Sequence, residues 1–116
     1  MTTVSVFIIN YNGAAFLEAC LDSVLESKAT VDIDVIVVDN QSNDNSLELL
    51  RKYKDRVTVV KNAHNSGFSK GNNIASNYAK GDYFFLLNND TVLPSDTIQK
   101  LYDYHSKHPD IGALVP

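Results

Sequence analysis

Along the chain, solid apolar runs alternate with segments of helical periodicity, and a polar cluster closes each run. Residues 4–9 form a continuous, β-branched run that ends in Asn10, Tyr11, Asn12 and Gly13. Phe16, Cys20 and Val24 follow at intervals of four, as do Leu17, Leu21 and Leu25, which predicts a helix with one wide apolar stripe. Residues 33–38 read as a second strand closed by the cluster 39–44, and 46–54 as a helix with Leu47, Leu50 and Tyr53 on one side. A short strand at 57–60 precedes a polar loop at 61–67 and a helix from about 68 to 79. A fourth strand at 82–87 ends in Asn88, Asn89 and Asp90. Ser95 is placed to cap a last helix in which Ile98, Leu101, Tyr102 and His105 keep the helical spacing.

Strict strand–helix alternation predicts βαβ units and a mostly parallel sheet. The strands are apolar throughout rather than alternating, so both faces of the sheet should be covered. The expected fold class is α/β, a three-layer αβα arrangement. Residues 111–115 resemble the start of a fifth strand, inside which the sequence stops. An apolar strand with nothing after it leaves an open edge. The expectation is therefore the front part of a longer protein, truncated at its C-terminal end; the alternative is a short terminal edge strand in a complete one.

The length, 116 residues, suits one domain spanning 1–116, in which roughly two-thirds of the unfolded surface can be buried. No apolar run approaches a membrane span, and the first residues lack a secretory signal, which makes the cytoplasm the expected location. Contact with the inner face of a membrane would fall to parts outside this chain. The single cysteine, Cys20, excludes an internal disulfide framework and a cysteine-built zinc site. A net charge of −4 without a basic stripe argues against nucleic acid as the partner.

Asparagine is abundant, at twelve residues, and most of these fall in the loops that follow the strands. As turn formers and helix caps they explain any single loop. They do not explain why the loops at the other strand ends lack them. In an open α/β sheet, ligands bind beyond the carboxyl ends of the strands, so the four polar clusters predict one binding rim. Within it there is no P-loop pattern and no dinucleotide fingerprint, since a lone Gly13 follows the first strand. Gly67 and Gly71 allow a close backbone approach by a phosphate. Asp90 is either a ligand for Mg²⁺ or Mn²⁺ or simply the residue that ends the strand. Two carboxylates such as Asp39 and Asp90 near a diphosphate repel it, by about 4 kcal/mol per charge pair at 4 Å and an effective dielectric of 20, and a divalent cation reverses that sign. Asn88 rules out an aspartyl-phosphate phosphatase, because an amide cannot serve as that nucleophile.

Four segments in order, 4–13, 37–44, 65–73 and 86–91, together resemble the N-terminal half of family 2 glycosyltransferases. These are inverting enzymes of the GT-A fold with a Rossmann-like nucleotide-binding half, and the resemblance is particularly to the rhamnosyltransferase-like branch. The resemblance implies that Asn10, Tyr11 and Asn12 border the base and ribose of the donor. It implies that Asp39 accepts a hydrogen bond from the base, which suits the N3–H of uracil or thymine and disfavours cytosine. Ser42 and Asp44 would support or cap, and Gly67, Gly71 and Asn72 would pack beneath the donor. Asn88, Asn89 and Asp90 occupy the family's D-x-D motif, whose last aspartate holds the metal, Mg²⁺ or Mn²⁺, on the diphosphate. Asparagine at the first position departs from the usual aspartate and removes a charge there.

The implied reaction transfers a sugar from a UDP- or dTDP-sugar donor to an acceptor hydroxyl on a glycan, a lipid-linked glycan or another molecule. A carboxylate acts as base, and the metal stabilises the departing diphosphate. After Asp90 the only aspartates are Asp96, Asp103 and Asp110, at positions that do not suit the base. The chain is expected to bind donor without transferring sugar efficiently by itself. Two alternatives stand beside this reading: a stand-alone, non-catalytic nucleotide-binding module, and a receiver-like phosphate- or metal-binding domain, which lacks its partner lysine.

Overall fold

Eight elements alternate in the computed structural model, which describes residues 2–114: β1 (Thr3–Asn10), α1 (Ala14–Leu25), β2 (Asp32–Asp39), α2 (Ser46–Arg51), β3 (Thr58–Lys61), α3 (Gly67–Ser76), β4 (Tyr83–Asn88) and α4 (Thr97–Lys107). The strands form one sheet in the order β3-β2-β1-β4, and every pairing is parallel. The chain steps outward from β1 to β3 and then returns to the far side of β1. The direction of winding therefore reverses between β1 and β4, where open α/β sheets hold their ligands.

Alternate strand residues serve opposite layers, which is why the runs are apolar throughout. Val6, Ile8, Val35 and Val37 pack with Leu17, Cys20, Leu21 and Val24 of α1, Leu50 of α2 and Ile98 of α4. Phe7, Ile36 and Val38 face the other way, toward Ala75 of α3. Each leucine-sized side chain buried in this way contributes roughly 1.5–3 kcal/mol. A side chain at Gly71 would bring its Cβ to 2.8 Å from Ile9 Cγ2, so this glycine lets α3 sit close against β1.

The α/β class and the three layers are as the pattern predicts, but some boundaries and faces differ. Phe16 is 56% exposed rather than part of the core stripe. With 3.6 residues per turn, a row spaced by four drifts around the helix, and Phe16 lies at its edge. The residue preceding α4 is Asp96 rather than Ser95, without a side-chain cap bond, while the Ser95 carbonyl accepts the Lys28 N–H at 2.8 Å. Helices α2 and α3 end earlier than their periodicity suggests, and Tyr53 reaches the core from the turn after α2. The fifth strand is not formed over 111–114, and Val115 lies outside the described residues. No ladder joins this segment to β4; it runs beside β4 and α4, where the His105 ring nitrogen Nε2 lies 2.9 Å from the Ile111 carbonyl. Covering of the α3 face is also incomplete: Phe84 and Leu86 are half exposed on the edge strand. Among the described residues, no helix is long and apolar enough to cross a membrane.

Candidate functional site

The parallel register brings the polar strand ends onto one rim, with Asn10 beside Asp39 on one side and Ile9 beside Asn88 on the other. Asp39 is buried, at 1% exposure, and its carboxylate is held by three donors. Oδ1 accepts from Asn10 Nδ2 at 2.9 Å and from Ser42 Oγ at 2.7 Å; Oδ2 accepts from the Ser42 N–H at 2.9 Å. A carboxylate has about four acceptor positions, so this arrangement leaves capacity on Oδ2 for one further donor.

The loop after β2 is locked onto the loop after β1. Ser42 Oγ accepts the Asn12 N–H at 2.9 Å, and Asn12 Oδ1 accepts the N–H groups of Asn43 and Asp44. The lock holds two residues in the left-handed region, Asn12 at φ 52° and Gln41 at φ 62°. Such conformations cost about 1–3 kcal/mol each and gather at functional sites. Asp44 joins two helix starts, with Oδ2 accepting from the Ala14 N–H and Oδ1 from the Ser46 N–H. Slight burial works to raise its pKa, but the bonds from Ser46 and Ala14 prevail and hold the carboxyl below its ordinary range.

Beside Asp39, Asn40 organises the third loop. Its amide donates to the Gly67 carbonyl, and its Oδ1 accepts from Asn62 Nδ2 at 2.9 Å and Ser66 Oγ at 3.3 Å. Gly67, at φ 82°, begins α3 in a conformation that favours glycine. Across β1, Asn89 Nδ2 donates to Asn10 Oδ1 at 2.9 Å. A side chain at Gly13 would strike both amides, so this glycine provides the space for their bond. A cleft of about 320 Å³ opens over the rim, lined by Ile9, Tyr11, Asn40, Asn65, Gly67, Phe68 and Asn89. A larger hollow of about 790 Å³ runs along β4 and α4, but its lining is mainly aromatic and aliphatic and contains none of the rim asparagines.

The expected residues thus fall into groups. Asn10, Asn12, Asp39 and Ser42 form the hydrogen-bonded frame, and Tyr11, Gly67 and Asn89 line the cleft. Asn88 and Asp90 are exposed at the end of β4. Gly71 lies under Ile9, and Asn72 is buried in α3, donating to the Phe68 carbonyl. Sequence reasoning did not single out Gly13, Asn40, Asn62, Ser66 or Phe68 for the site. The surplus of asparagines was the available signal for two of them. Cys20 is buried, with its Sγ 3.6 Å from the Asn88 carbonyl; burial raises its pKa, leaving an inert thiol.

The donor chemistry near Asp90 fits Mg²⁺ or Mn²⁺ when a diphosphate shares the coordination. These ions take one or two carboxylates and fill their remaining positions from phosphate and water. Among the described residues no group of three acidic, histidine or cysteine side chains is placed to hold a metal ion by itself.

Residues 5–116 match the model of glycosyl transferase family 2. Among curated relatives, chondroitin synthase from Pasteurella multocida is 33% identical over 99 residues, which is 83% of this chain and 10% of that protein. The poly(ribitol-phosphate) beta-N-acetylglucosaminyltransferase TarP of Staphylococcus aureus is 32% identical over 108 residues, 90% of this chain and 33% of its own length. The chain therefore spans a third or less of these two relatives. Residues 1–349 of S. aureus TarS, solved in complex with UDP-GlcNAc, superpose with a TM-score of 0.83 at 24% identity, covering 100% of this chain and 37% of that one. The mannosyltransferase PcManGT of Pyrobaculum calidifontis, solved with GDP-Man and Mn²⁺, gives a TM-score of 0.81 at 24% identity over 89% of this chain and 32% of its own. The parallel sheet, the rim at its switch point and the family match over nearly the whole sequence agree: the chain is a member of glycosyl transferase family 2.

Proposed function

We propose that the rim binds a nucleoside diphosphate sugar and that the chain is the donor-binding domain of an inverting glycosyltransferase. The observation that carries this reading is the joining of three strand ends, by Asn10, Asp39 and Asn89, beside one cleft at the switch point. The free acceptor capacity of Asp39 Oδ2 receives the ring N–H of the base. Uracil and thymine offer such a donor at N3, whereas cytosine presents a lone pair there. Guanine also offers a ring N–H, so a carboxylate alone does not exclude it. Tyr11 and Phe68 supply apolar walls, each about half exposed and therefore open to a base or sugar.

Asp90, with Asn88 nearby, holds the divalent cation, whose chemistry is to neutralise charge on the departing diphosphate. The chain's own residues bind and orient the donor so that its anomeric carbon faces an acceptor hydroxyl on a glycan or lipid-linked glycan. The general base and the acceptor site belong to further parts of a longer enzyme, consistent with the small share of the relatives that this chain spans. Asp96 is not suited to be the base, since it is exposed and paired with Lys100 at 3.0 Å.

Calorimetric titration with UDP, dTDP, GDP and CDP, each with and without Mn²⁺, tests this reading. The expected result is binding of UDP or dTDP that Mn²⁺ strengthens, with CDP weaker by about tenfold or more, as the loss of one hydrogen bond to a charged group implies. A folded chain that binds none of the four overturns the proposal. Preference for GDP would retain the donor site but exclude the pyrimidine assignment.

A further inference from the structure

Asn10 is fully buried, at 0% exposure, yet its amide is engaged on both sides. Nδ2 donates to Asp39 Oδ1 at 2.9 Å and, at 3.3 Å, to Ser42 Oγ, while Oδ1 accepts from Asn89 Nδ2 at 2.9 Å. The orientation is chemically forced. A carboxylate only accepts, so the NH₂ group must face β2, and the oxygen left facing β4 must find a donor there. Asn89 supplies it. Because β1 lies between β2 and β4, this one amide spans the point where the winding of the sheet reverses. Gly13 keeps the space above it clear, since a side chain there would displace both asparagines.

We infer that Asn10 is a positioning residue that couples the two ends of the donor site. On the donor-site reading given above, Asp39 meets the base, and the loop carrying Asn89 and Asp90 meets the diphosphate and its cation. Fixing Asp39 fixes the Asn10 amide, and the amide fixes Asn89. Occupation at one end therefore favours the geometry needed at the other. A buried amide with both ends bonded rotates poorly, because turning it would set N–H against N–H at β4 and oxygen against carboxylate at β2. The nearest residue of the metal-bearing loop is thus held by the side chain that also holds the nucleoside contact.

The coupling is read as the ratio of UDP affinity with Mn²⁺ to UDP affinity without it, measured by calorimetry on the whole chain. Asn10→Ser, Asn89→Ala and the double variant form a cycle, and Gly13→Ala tests the same link without altering either amide. The ratio is expected to fall about tenfold in each single variant, within the usual range of coupling between sites. The double variant should lose little more than either single one, because both break the same connection. Thermal unfolding verifies that each variant is folded; Asn89, being only half buried, is the safer substitution if Asn10→Ser is not. A purely structural role would weaken binding equally with and without Mn²⁺ and leave the ratio unchanged, which would overturn the inference. A parent chain that binds no UDP would instead overturn the donor-site reading beneath it.

Discussion

Replacing Asp39 by asparagine is expected to weaken UDP binding by roughly 10- to 150-fold, the equivalent of one hydrogen bond to a charged group. The variant keeps the volume of the side chain but not its acceptor-only character. One of its two positions becomes an NH₂, which must face either the Ser42 N–H or the donors at Oδ1, so at least one pairing of the frame is lost. Alanine should be worse, since it leaves the Asn10 amide and both Ser42 donors without their acceptor at a site that is 1% exposed. Each such orphaned group costs about 1–3 kcal/mol, which puts the stability of the domain at risk as well as its binding. Calorimetry with UDP, paired with a thermal melt, separates the two effects. Unchanged UDP affinity in a folded Asp39→Asn chain would remove Asp39 from the base contact.

The second large effect concerns Asp90. This residue is exposed at the end of β4, so its replacement by alanine should change stability by no more than about 0.5 kcal/mol. Its expected consequence is functional: UDP affinity becomes the same with and without Mn²⁺, while the parent chain gains affinity from the ion. Asn88→Ala should have a smaller effect, because an amide adds an oxygen but no charge. Retention of the parent's full response to Mn²⁺ in Asp90→Ala would mean that the cation is held elsewhere.

Much of the fold was legible because each level of the sequence agreed with the others. Apolar strands, helical stripes and polar strand ends alternate without exception through β4. The rim followed from the same alternation, since the carboxyl end of every parallel strand falls on one side. Strand order was not legible, and the connection between Asn10 and Asn89 depends on it. Their separation of 79 residues carries no periodicity, and only the placement of β4 beside β1 brings the two amides together. The importance of Gly13 was hidden for the same reason. Its small size answers to a neighbour from the far end of the chain rather than to its own turn.

The errors also have physical origins. Residues 111–114 have a composition that suits a strand, but a strand requires a hydrogen-bonding partner, and composition does not supply one. Ser95 looked like a helix cap by residue type, yet its carbonyl is engaged by Lys28 and the helix begins one residue later than that cap would set it. Asn40 was visible as one asparagine among twelve, but nothing local distinguished it from a turn former. Its role comes from three partners, Asn62 and Ser66 on the loop before α3 and Gly67 at the start of that helix.

On the proposed reading, the loops following β1, β2, β3 and β4 make a single donor site. Its most direct test is a titration of the isotopically labelled chain with UDP and Mg²⁺, followed by amide chemical shifts residue by residue. The shifts should concentrate at 10–13, 39–44, 65–68 and 88–91. The opposite rim, where Asp34 accepts hydrogen bonds from the Ser5 hydroxyl and the Lys80 N–H, should stay unmoved. Saturable shifts confined to that opposite rim, or to the apolar hollow along β4 and α4, would contradict it.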